Sequence, residues 1–141
     1  MTVKFTIPGS PRGKGRPRFS RQGDFVRTYT DEQTASYENL VKLMYRNQCG
    51  IAFLDGAIMA EITGYFPIPK SASKKKQLAM EVGEIKYTSK IDCDNLAKIA
   101  LDSLNGIAYR DDSQVCRLYV SKQYAIEPRV EITLVELEGK K

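Results

Sequence analysis

Alternation of hydrophobic and polar residues predicts four strands along the chain. The first covers about residues 3–7 and the second about residues 58–66, and both place apolar side chains at alternate positions. Two more strands are predicted over about 114–125 and 129–137. Because the dipeptide Glu127-Pro128 breaks the pattern between them, we expect the last two strands to form a hairpin.

Apolar residues spaced three and four apart predict two main helices, over about residues 31–48 and 93–104. A capping-box pattern that begins at Thr30 precedes the first helix. A third, short helix is predicted near residues 71–82. The order of elements, β-α-β-(α)-α-β-β, predicts a single α+β domain over residues 1–141, with a small mixed sheet and two main helices.

Positive charge is concentrated at the N-terminal end of the chain. The net charge is +5, yet residues 1–30 alone hold seven Lys or Arg and one Asp, which gives +6. Residues 9–27, which we call the basic segment, are too rich in Gly and Pro for a helix, so we expect a basic loop there. The clustering indicates a polyanion as partner. Contacts with DNA phosphates are expected from four of its side chains: Arg12, Lys14, Arg16 and Arg18.

The residue types present exclude several kinds of active site. The chain has no histidine, which removes Ser-His-Asp, Cys-His and histidine–zinc chemistry. Its three cysteines are far apart and fit neither a disulfide framework nor a metal knuckle. The glycines around Lys14 lack the spacing of a phosphate-binding P-loop, so no nucleotide cofactor is expected. Since the chain also lacks a membrane-length apolar run and a signal peptide, we expect a cytoplasmic protein without membrane contact.

The densest group of candidate catalytic residues lies in the helix predicted over 93–104. At 100° per residue, one face of this helix is apolar and consists of Leu96, Ala100 and Leu104. Another face carries two carboxylates, an amide and an ammonium: Asp94, Asn95, Lys98 and Asp102. Asp92 precedes the helix and can either cap its N-terminus or turn toward this polar face.

A second acidic pair, Asp111-Asp112, follows this helix after a short loop. If the chain doubles back there, Asp112 can approach Asp92 and Asp94. Converging carboxylates repel one another unless a cation lies between them, and oxygen ligands without His or Cys favour Mg²⁺ or Mn²⁺. Such an ion lowers the pKa of bound water and neutralises charge on a phosphate, and Lys98 would add a fixed positive charge.

Ordinary structural roles also account for each of these acidic residues taken singly. Acidic residues are common at helix N-termini. Pairs of opposite charge four residues apart are common on helix surfaces, and an acidic pair suits a turn. A separate arrangement, Glu84-Ile85-Lys86, resembles half of the motif of another class of metal-dependent nuclease.

Several motifs of this chain resemble the signature of RusA-type Holliday-junction resolvases. The first is D-x-D-N-L-x-K over residues 92–98, which is followed by D-S-L-N-G over residues 102–106. Another is R-D-D-S-Q-V over residues 110–115. The N-terminal sequence G-K-G-R-P-R-F over residues 13–19 and the dipeptide Tyr29-Thr30 are also similar to that family. The resemblance covers nearly the whole chain.

The resemblance implies a homodimeric endonuclease that depends on Mg²⁺, with Mn²⁺ as a possible substitute. Such an enzyme nicks opposite strands of branched DNA at a four-way junction, in recombination and repair, and members often lie in prophages. The resemblance implies Asp92, Asp94 and Asp112 as catalytic metal ligands, with Lys98 as the supporting cation. Asp102 also matches, and we expect a supporting or structural role for it.

The segment over residues 67–90 is longer and more basic than the resemblance leads us to expect. DNA contacts are expected from four lysines in it: Lys74, Lys75, Lys76 and Lys90. Five tyrosines exceed what a small core must bury, so they are candidates for a dimer interface: Tyr37, Tyr45, Tyr65, Tyr119 and Tyr124.

Two alternatives stay open at this stage. The first is a non-catalytic DNA-binding module that uses the basic segment alone. The second is a nuclease of another metal-dependent class that acts on flaps or ordinary duplex. Preference for a four-way junction and the dimer rest on the resemblance.

Overall fold

The computed structural model describes residues 1–14, 18–23, 25–29 and 32–137, with residues 18–22 and 25–29 described by their backbone alone. The elements follow one another as β1 (Thr2–Pro8), β2 (Arg18–Gln22), β3 (Phe25–Tyr29), α1 (Glu32–Cys49), β4 (Ile58–Pro67), α2 (Lys74–Glu81), α3 (Cys93–Ser103), β5 (Val115–Ala125) and β6 (Arg129–Glu136). A 3₁₀ turn, Asp112–Gln114, leads into β5. All three predicted helices and all four predicted strands are present, and the predicted α+β fold is confirmed.

Four strands form one mixed sheet in the order β1-β6-β4-β5. Strand β6 runs antiparallel to both of its neighbours, β1 and β4, whereas β4 and β5 run parallel. The register places Phe5, Ile132 and Ile62 side by side across the sheet, and all three are buried. Because alternate residues of a strand point to the same face, this row belongs to one apolar face of the sheet.

The predicted hairpin between the last two strands is wrong, because β4 lies between β5 and β6. Ala125 and Arg129 are four Cα–Cα steps apart, which span up to about 14 Å. Two strand spacings need only about 10 Å, so the connection can pass over the end of β4. The reason is burial: alternate residues of β4 and β6 are buried, whereas residues 116–119 of β5 are all exposed. The strands with more apolar surface therefore occupy the middle of the sheet.

Part of the segment predicted as a basic loop, residues 9–27, folds as a second sheet. Strands β2 and β3 pair antiparallel, with Arg18 opposite Tyr29. Between them Gly23 has a φ of 60°, a conformation that glycine adopts at little cost and a tight turn requires. The loop prediction gave weight to the Gly and Pro residues before β2 and overlooked this glycine as a turn signal.

Helices α1 and α3 pack against each other and contribute to one core with the sheet. Tyr37, Val41 and Tyr45 of α1 are four residues apart and form one buried stripe. The apolar face predicted for α3 is confirmed, and buried Ile99 widens it, so this helix leaves only a narrow polar strip uncovered. The capping box predicted from Thr30 lies outside the described residues.

Because Gly64 has no side chain, α3 can pack closely against the sheet at this position. A Cβ atom at this position would lie 2.8 Å from Cδ2 of Leu96 and 3.2 Å from Cε1 of Phe66. Gly64→Ala is therefore expected to lower the free energy of unfolding by about 1–3 kcal/mol, as overpacking of a core does. Urea unfolding followed by circular dichroism measures this decrease. In a Leu96→Ala background the side chain that crowds the new Cβ is absent and the same change should cost less, whereas equal decreases in both backgrounds would contradict the explanation.

Candidate active site

Asp92 and Asp94 lie at the N-terminal end of α3. The carboxylate of Asp92 caps the helix by accepting a hydrogen bond from the backbone N–H of Asn95, at an N···O distance of 2.9 Å. Asp94 lies in the first turn, where a carboxylate interacts favourably with the helix macrodipole. Both residues are exposed, so their carboxylates are accessible to a metal ion or to DNA.

The chain turns back against α3 as soon as the helix ends. Tyr109 is fully buried, and its hydroxyl donates to the carbonyl of Leu101 at 2.6 Å. Burial raises the pKa of Tyr109, so this hydroxyl remains a donor at neutral pH. The backbone N–H of Asp112 donates to Oδ1 of Asn105 at 2.8 Å. The chain therefore doubles back after α3, and Asp112 lies at the C-terminal end of this helix.

Asp112 lies close to Asp102, because the backbone N–H of Asp112 binds Asn105, three residues after Asp102. Burial raises the pKa of Asp112, and the hydrogen bond and charge of Asp102 raise it further, together with the charge of Asp111. Neighbouring carboxylates repel each other, which favours a shared proton or a nearby cation.

Lys14 supplies positive charge beside this pair. Its Nζ lies 2.6 Å from Oδ2 of Asp102 and 3.5 Å from Oε2 of Glu38, a residue of α1. Burial lowers the pKa of Lys14, but the hydrogen bonds and charges of Asp102 and Glu38 outweigh burial and leave the pKa raised. The ammonium is therefore held in its charged form between α1 and α3.

The segment that carries Lys14 is packed tightly against the start of α3. A Cβ atom at Gly13 would lie 2.5 Å from Cγ2 of Ile91 and 3.1 Å from Cβ of Asn95. Because glycine has no side chain, the chain at Gly13 can approach the side chains of Ile91 and Asn95 this closely. The N-terminal basic segment and the acidic helix are therefore parts of one site.

Within one chain the three predicted metal ligands are not together. Asp94 and Asp102 are eight residues apart in α3, a rise of about 12 Å, and the backbone N–H of Asp112 binds Asn105, which lies beyond Asp102. Asp92 is farther away still, beyond Asp94. Lys98 is exposed and lies midway between Asp94 and Asp102 in the helix. In the part of the chain whose side chains are described, no three Asp, Glu, His or Cys residues are close enough to hold a metal ion.

Asp111 has a local structural role that separates it from Asp112. Its carboxylate accepts a hydrogen bond from the backbone N–H of Ser113 at 3.0 Å and so caps the 3₁₀ turn. The hydrogen bonds from Ser113 lower the pKa of Asp111. Oε1 of Gln114 accepts in turn from the backbone N–H of Asp111 at 3.1 Å. Asp111 therefore faces its own turn, while Asp112 faces α3.

The lysines predicted to contact DNA lie at the surface near α2 and α3. Lys74, Lys75 and Lys76 form the exposed first turn of α2, and Lys90 is exposed shortly before α3. This turn has no acidic residue, and lysines there oppose the helix macrodipole. Since the position is unfavourable for the helix alone, three lysines there are consistent with an anionic partner.

The arginines predicted to contact DNA are described to different extents. Arg12 is exposed, and its guanidinium donates to Oε1 of Gln33 at 3.3 Å. Arg16 lies outside the described residues. Arg18 is the first residue of β2, where the described part is its backbone.

Sequence reasoning missed Glu38, the second carboxylate that holds Lys14. Glu38 lies next to Tyr37 and three residues before Val41, at the edge of the buried stripe of α1, and its side chain is 19% exposed. A charged residue at such an edge loses part of its hydration and needs a partner of opposite charge. The position of Glu38 at this edge was therefore a signal in the sequence that it has such a partner. That partner is Lys14, which is too far away in sequence for the helical pattern to identify.

The tyrosines predicted for a dimer interface differ in how far they are exposed. Tyr37 and Tyr45 are 7% and 0% exposed and belong to the core, so they were wrong as interface candidates. Tyr65 and Tyr124 pack against an arginine and a tyrosine of the same chain. Tyr119 is 58% exposed and stays a candidate.

This chain is similar to a known family and to a bacterial relative over nearly its whole length. The family model for Endodeoxyribonuclease RusA matches residues 8–135. Uncharacterized protein YqaN of Bacillus subtilis (strain 168) is 37% identical over 139 residues, which cover 97% of this chain and 98% of that protein. The family match includes the basic segment, α3 and the returning Asp112. In the described part of the chain, no helix has the length and apolar character needed to cross a membrane.

Proposed function

Because this chain belongs to the RusA endodeoxyribonuclease family, we propose that it is a Mg²⁺-dependent endonuclease that resolves four-way DNA junctions by paired nicks. The observation that carries the proposal is the docking of the basic segment against the acidic helix α3, through Gly13 and Lys14. A DNA backbone bound by that segment would lie beside the carboxylates of α3. We expect the enzyme to act in the cytoplasm, in recombination and repair.

A divalent cation is proposed to bind the carboxylates of Asp92, Asp94 and Asp112. The donors fit Mg²⁺ or Mn²⁺, since all are oxygen ligands and the chain has no histidine. The raised pKa of Asp112 also fits, because a cation would relieve the effect of burial and of the neighbouring Asp102. When bound, the ion would activate a water molecule and neutralise charge on a phosphate.

The positions of these ligands favour a dimer. Asp92 and Asp94 lie at one end of α3 and Asp112 lies at the other, so the proposed set does not meet within one protomer. In a two-fold dimer every contact occurs twice. We propose that the partner's Asp112 completes the set of Asp92 and Asp94, so that two composite sites form. Two such sites would suit a four-way junction, whose resolution needs two nicks on opposing strands.

An exposed edge strand next to Asp112 supports this dimer. Strand β5 is at the edge of the sheet, and its residues Leu118 and Tyr119 are 45% and 58% exposed. These neighbours point to opposite faces, so apolar surface is uncovered on both sides of the strand. Exposed edges of this kind tend to pair with another chain. Because β5 begins directly after the turn of Asp112, pairing there would bring Asp112 close to the partner.

Lys98 and the basic segment are proposed to act on the DNA itself. The exposed ammonium of Lys98 lies one turn from Asp94, where it can offset the charge of a phosphate that the site attacks. The arginines of the N-terminal segment and the lysines of α2 are proposed to hold the backbone, which gives affinity without sequence preference.

Removing the basic side chains should weaken binding to DNA of every shape. The triple variant Arg12→Ala, Arg16→Ala, Arg18→Ala is expected to flatten the dependence of junction affinity on salt, by roughly 0.9 in log–log slope for each phosphate that the protein no longer binds. Fluorescence anisotropy at several salt concentrations measures the slope. Lys4→Ala, which removes a charge from exposed Lys4 on β1, serves as the control. An unchanged slope in the triple variant would mean that these arginines do not bind phosphate.

The proposed function is tested by incubating the purified protein with a synthetic four-way junction and with a linear duplex of matched sequence. Cleavage of the junction in Mg²⁺, its loss with chelator and a much slower reaction on duplex are expected. A DNA-binding module would bind without cleavage, and a nuclease of another class would cleave duplex equally well. The motif considered for that class, Glu84-Ile85-Lys86, lies after α2 and outside helices and strands, with both charged residues exposed.

A further inference from the structure

The segment over residues 86–91 leads directly into Asp92 and has no regular secondary structure. Within the part of the chain that the structure describes, its backbone forms no hydrogen bond with another backbone group. The segment carries Lys90, which is exposed, lies two residues before Asp92 and is predicted to contact DNA. A stretch without backbone hydrogen bonds moves easily unless side chains hold it, so the position of Lys90 depends on side chains.

Two side chains hold consecutive carbonyl groups of this segment. The ammonium of Lys122, on β5, donates to the carbonyl of Ser89 at an N···O distance of 2.9 Å. The hydroxyl of Tyr87 donates to the carbonyl of Lys90. The backbone on the N-terminal side of Lys90 is therefore tied to the sheet, and its own carbonyl is tied to Tyr87.

An aromatic cluster fixes the ring of Tyr87. This ring stacks on the ring of Phe66, with the centroids 3.9 Å apart and the planes 7° from parallel. Tyr124 packs against Tyr87 edge to face, at 5.1 Å between centroids. Phe66 is 4% exposed and pairs with Tyr124 in the register of β4 and β5. Because the sheet supports the ring on two sides, the direction of the Tyr87 hydroxyl is set by the core.

Lys122 belongs to the same cluster. It pairs with Gly64 of β4 and lies two residues before Tyr124, so Lys122 and Tyr124 point to the same face of the sheet. Its ammonium lies over the ring of Tyr87, 5.3 Å from the centroid, where a cation is attracted to the ring. Lys122 is half-buried, whereas Lys90 is exposed. The charge of Lys122 is therefore directed at its own chain and that of Lys90 at solvent.

We propose that Tyr87 and Lys122 are positioning residues, which hold the segment before α3 and so direct Lys90 toward a DNA phosphate. The proposal rests on the proposed function for the DNA that Lys90 contacts, but it does not depend on cleavage. A segment that is ordered before binding loses less conformational entropy on binding, so the affinity for DNA is higher. Neither Tyr87 nor Lys122 binds the DNA itself.

Binding of a four-way junction in Ca²⁺, followed by fluorescence anisotropy, tests the proposal. Tyr87→Phe keeps the ring and removes the hydroxyl, and Lys122→Met keeps the length of the side chain and removes the donor. Each change is expected to weaken binding about threefold to tenfold, because a flexible side chain must then be ordered on binding. Two matched controls should bind like the wild type: Tyr65→Phe, which removes a hydroxyl that donates to Glu131, and Lys4→Met at an exposed position of β1.

A double-mutant cycle distinguishes positioning of Lys90 from a general loss of stability. Lys90→Ala alone should weaken binding and lower the log–log salt slope by roughly 0.9. In that background Tyr87→Phe should have little further effect, because the side chain that Tyr87 positions is absent. Additive effects would mean that Tyr87 does not act through Lys90. An unchanged affinity in Lys90→Ala would remove the DNA contact and the proposal with it.

The salt dependence separates a positioning role of Lys122 from a phosphate contact. Lys122→Met should keep the wild-type slope, and a slope lower by roughly 0.9 would make Lys122 itself a phosphate ligand and overturn its role. Lys122→Arg keeps an N–H donor and should recover part of the affinity that Lys122→Met loses. An equal loss in both variants would mean that the hydrogen bond to Ser89 is not what matters.

A separate measurement does not depend on DNA. Amide hydrogen exchange of the free protein, measured by mass spectrometry, should be faster over residues 88–91 in Tyr87→Phe and in Lys122→Met, and unchanged in α1. Exchange at the wild-type rate over residues 88–91 in both variants would overturn the proposal. If the wild type binds the junction but does not cleave it, the proposed function fails, and these measurements still decide the role of Tyr87 and Lys122.

Discussion

Asp94→Asn and Asp112→Asn are each expected to lower the rate of junction cleavage by about 10³-fold, a decrease typical when one group that stabilises a transition state is removed. Each change replaces a carboxylate that we propose as a metal ligand by a neutral amide of nearly the same size. Binding of the junction in Ca²⁺ should persist or become tighter, because a carboxylate that faces phosphate is removed. Single-turnover cleavage and anisotropy measure the two effects.

Asp92→Asn is the most informative member of this series. Asparagine caps a helix as well as aspartate does, so the hydrogen bond to the N–H of Asn95 should survive and α3 should stay intact. Any decrease of cleavage then comes from the missing charge. Glu61→Gln, an equal change at an exposed position of β4, should cleave at the wild-type rate. Near wild-type rates in the variants of Asp94 and Asp112 would contradict the assignment of the site.

Mixing two inactive variants is expected to restore nicking. If the partner's Asp112 completes the site of Asp94, a heterodimer of Asp94→Asn and Asp112→Asn has one site with both defects and one intact site. The mixture should therefore nick one strand of a junction, at up to about half the rate per heterodimer of the wild-type dimer, since one site of two remains. Each variant alone should be inactive. Denaturing gels of end-labelled strands measure which strands are cut.

The control for this experiment is a mixture of Asp94→Asn with the double variant Asp94→Asn, Asp112→Asn. Every heterodimer in that mixture lacks Asp94 in both protomers, so no nicking is expected. Activity in the control would point to contamination by wild-type enzyme. An inactive mixture of the two single variants, with heterodimers verified by native mass spectrometry, would place each complete site within one protomer and refute the composite arrangement.

Local patterns in the sequence predicted the elements that build the site. The 3.6-residue period of α3 separates its buried residues from a polar strip, so the apolar face and the exposed Asp94 and Lys98 followed from spacing alone. The short loop after α3 allowed Asp112 to return toward the helix, but the sequence did not require it. These features depend on residues close together in sequence.

Contacts between distant residues could not be predicted in the same way. Which end of α3 receives Asp112 depends on Tyr109, whose burial against Leu101 no periodicity reveals. The pairing of Lys14 with Asp102 joins residues 88 positions apart. From sequence, Lys14 was one more basic residue in a charged segment, and its inward position became evident only from its ion pairs with Asp102 and Glu38.

The predicted pairing of the last two strands was wrong for a related reason. Alternation of apolar and polar residues identifies a strand and its buried face. Which strands become its neighbours depends on the total apolar area that the whole sheet buries. β6 is flanked by β1 and β4 because all three bury alternate side chains on one face, while β5 remains at the edge. A break such as Glu127-Pro128 marks the end of a strand, but it does not indicate which strand the next one pairs with.

We propose that this protein cuts a four-way junction at two opposing strands in one complex, and a plasmid that extrudes a cruciform tests this claim. With Mg²⁺, paired nicks across the cruciform convert supercoiled plasmid into the linear form, and a matched plasmid without the inverted repeat should stay supercoiled. Gel electrophoresis separates the forms. Linear product from the cruciform plasmid alone is the predicted result. Open circles from both plasmids at equal rates, or no cleavage of either, would contradict the claim.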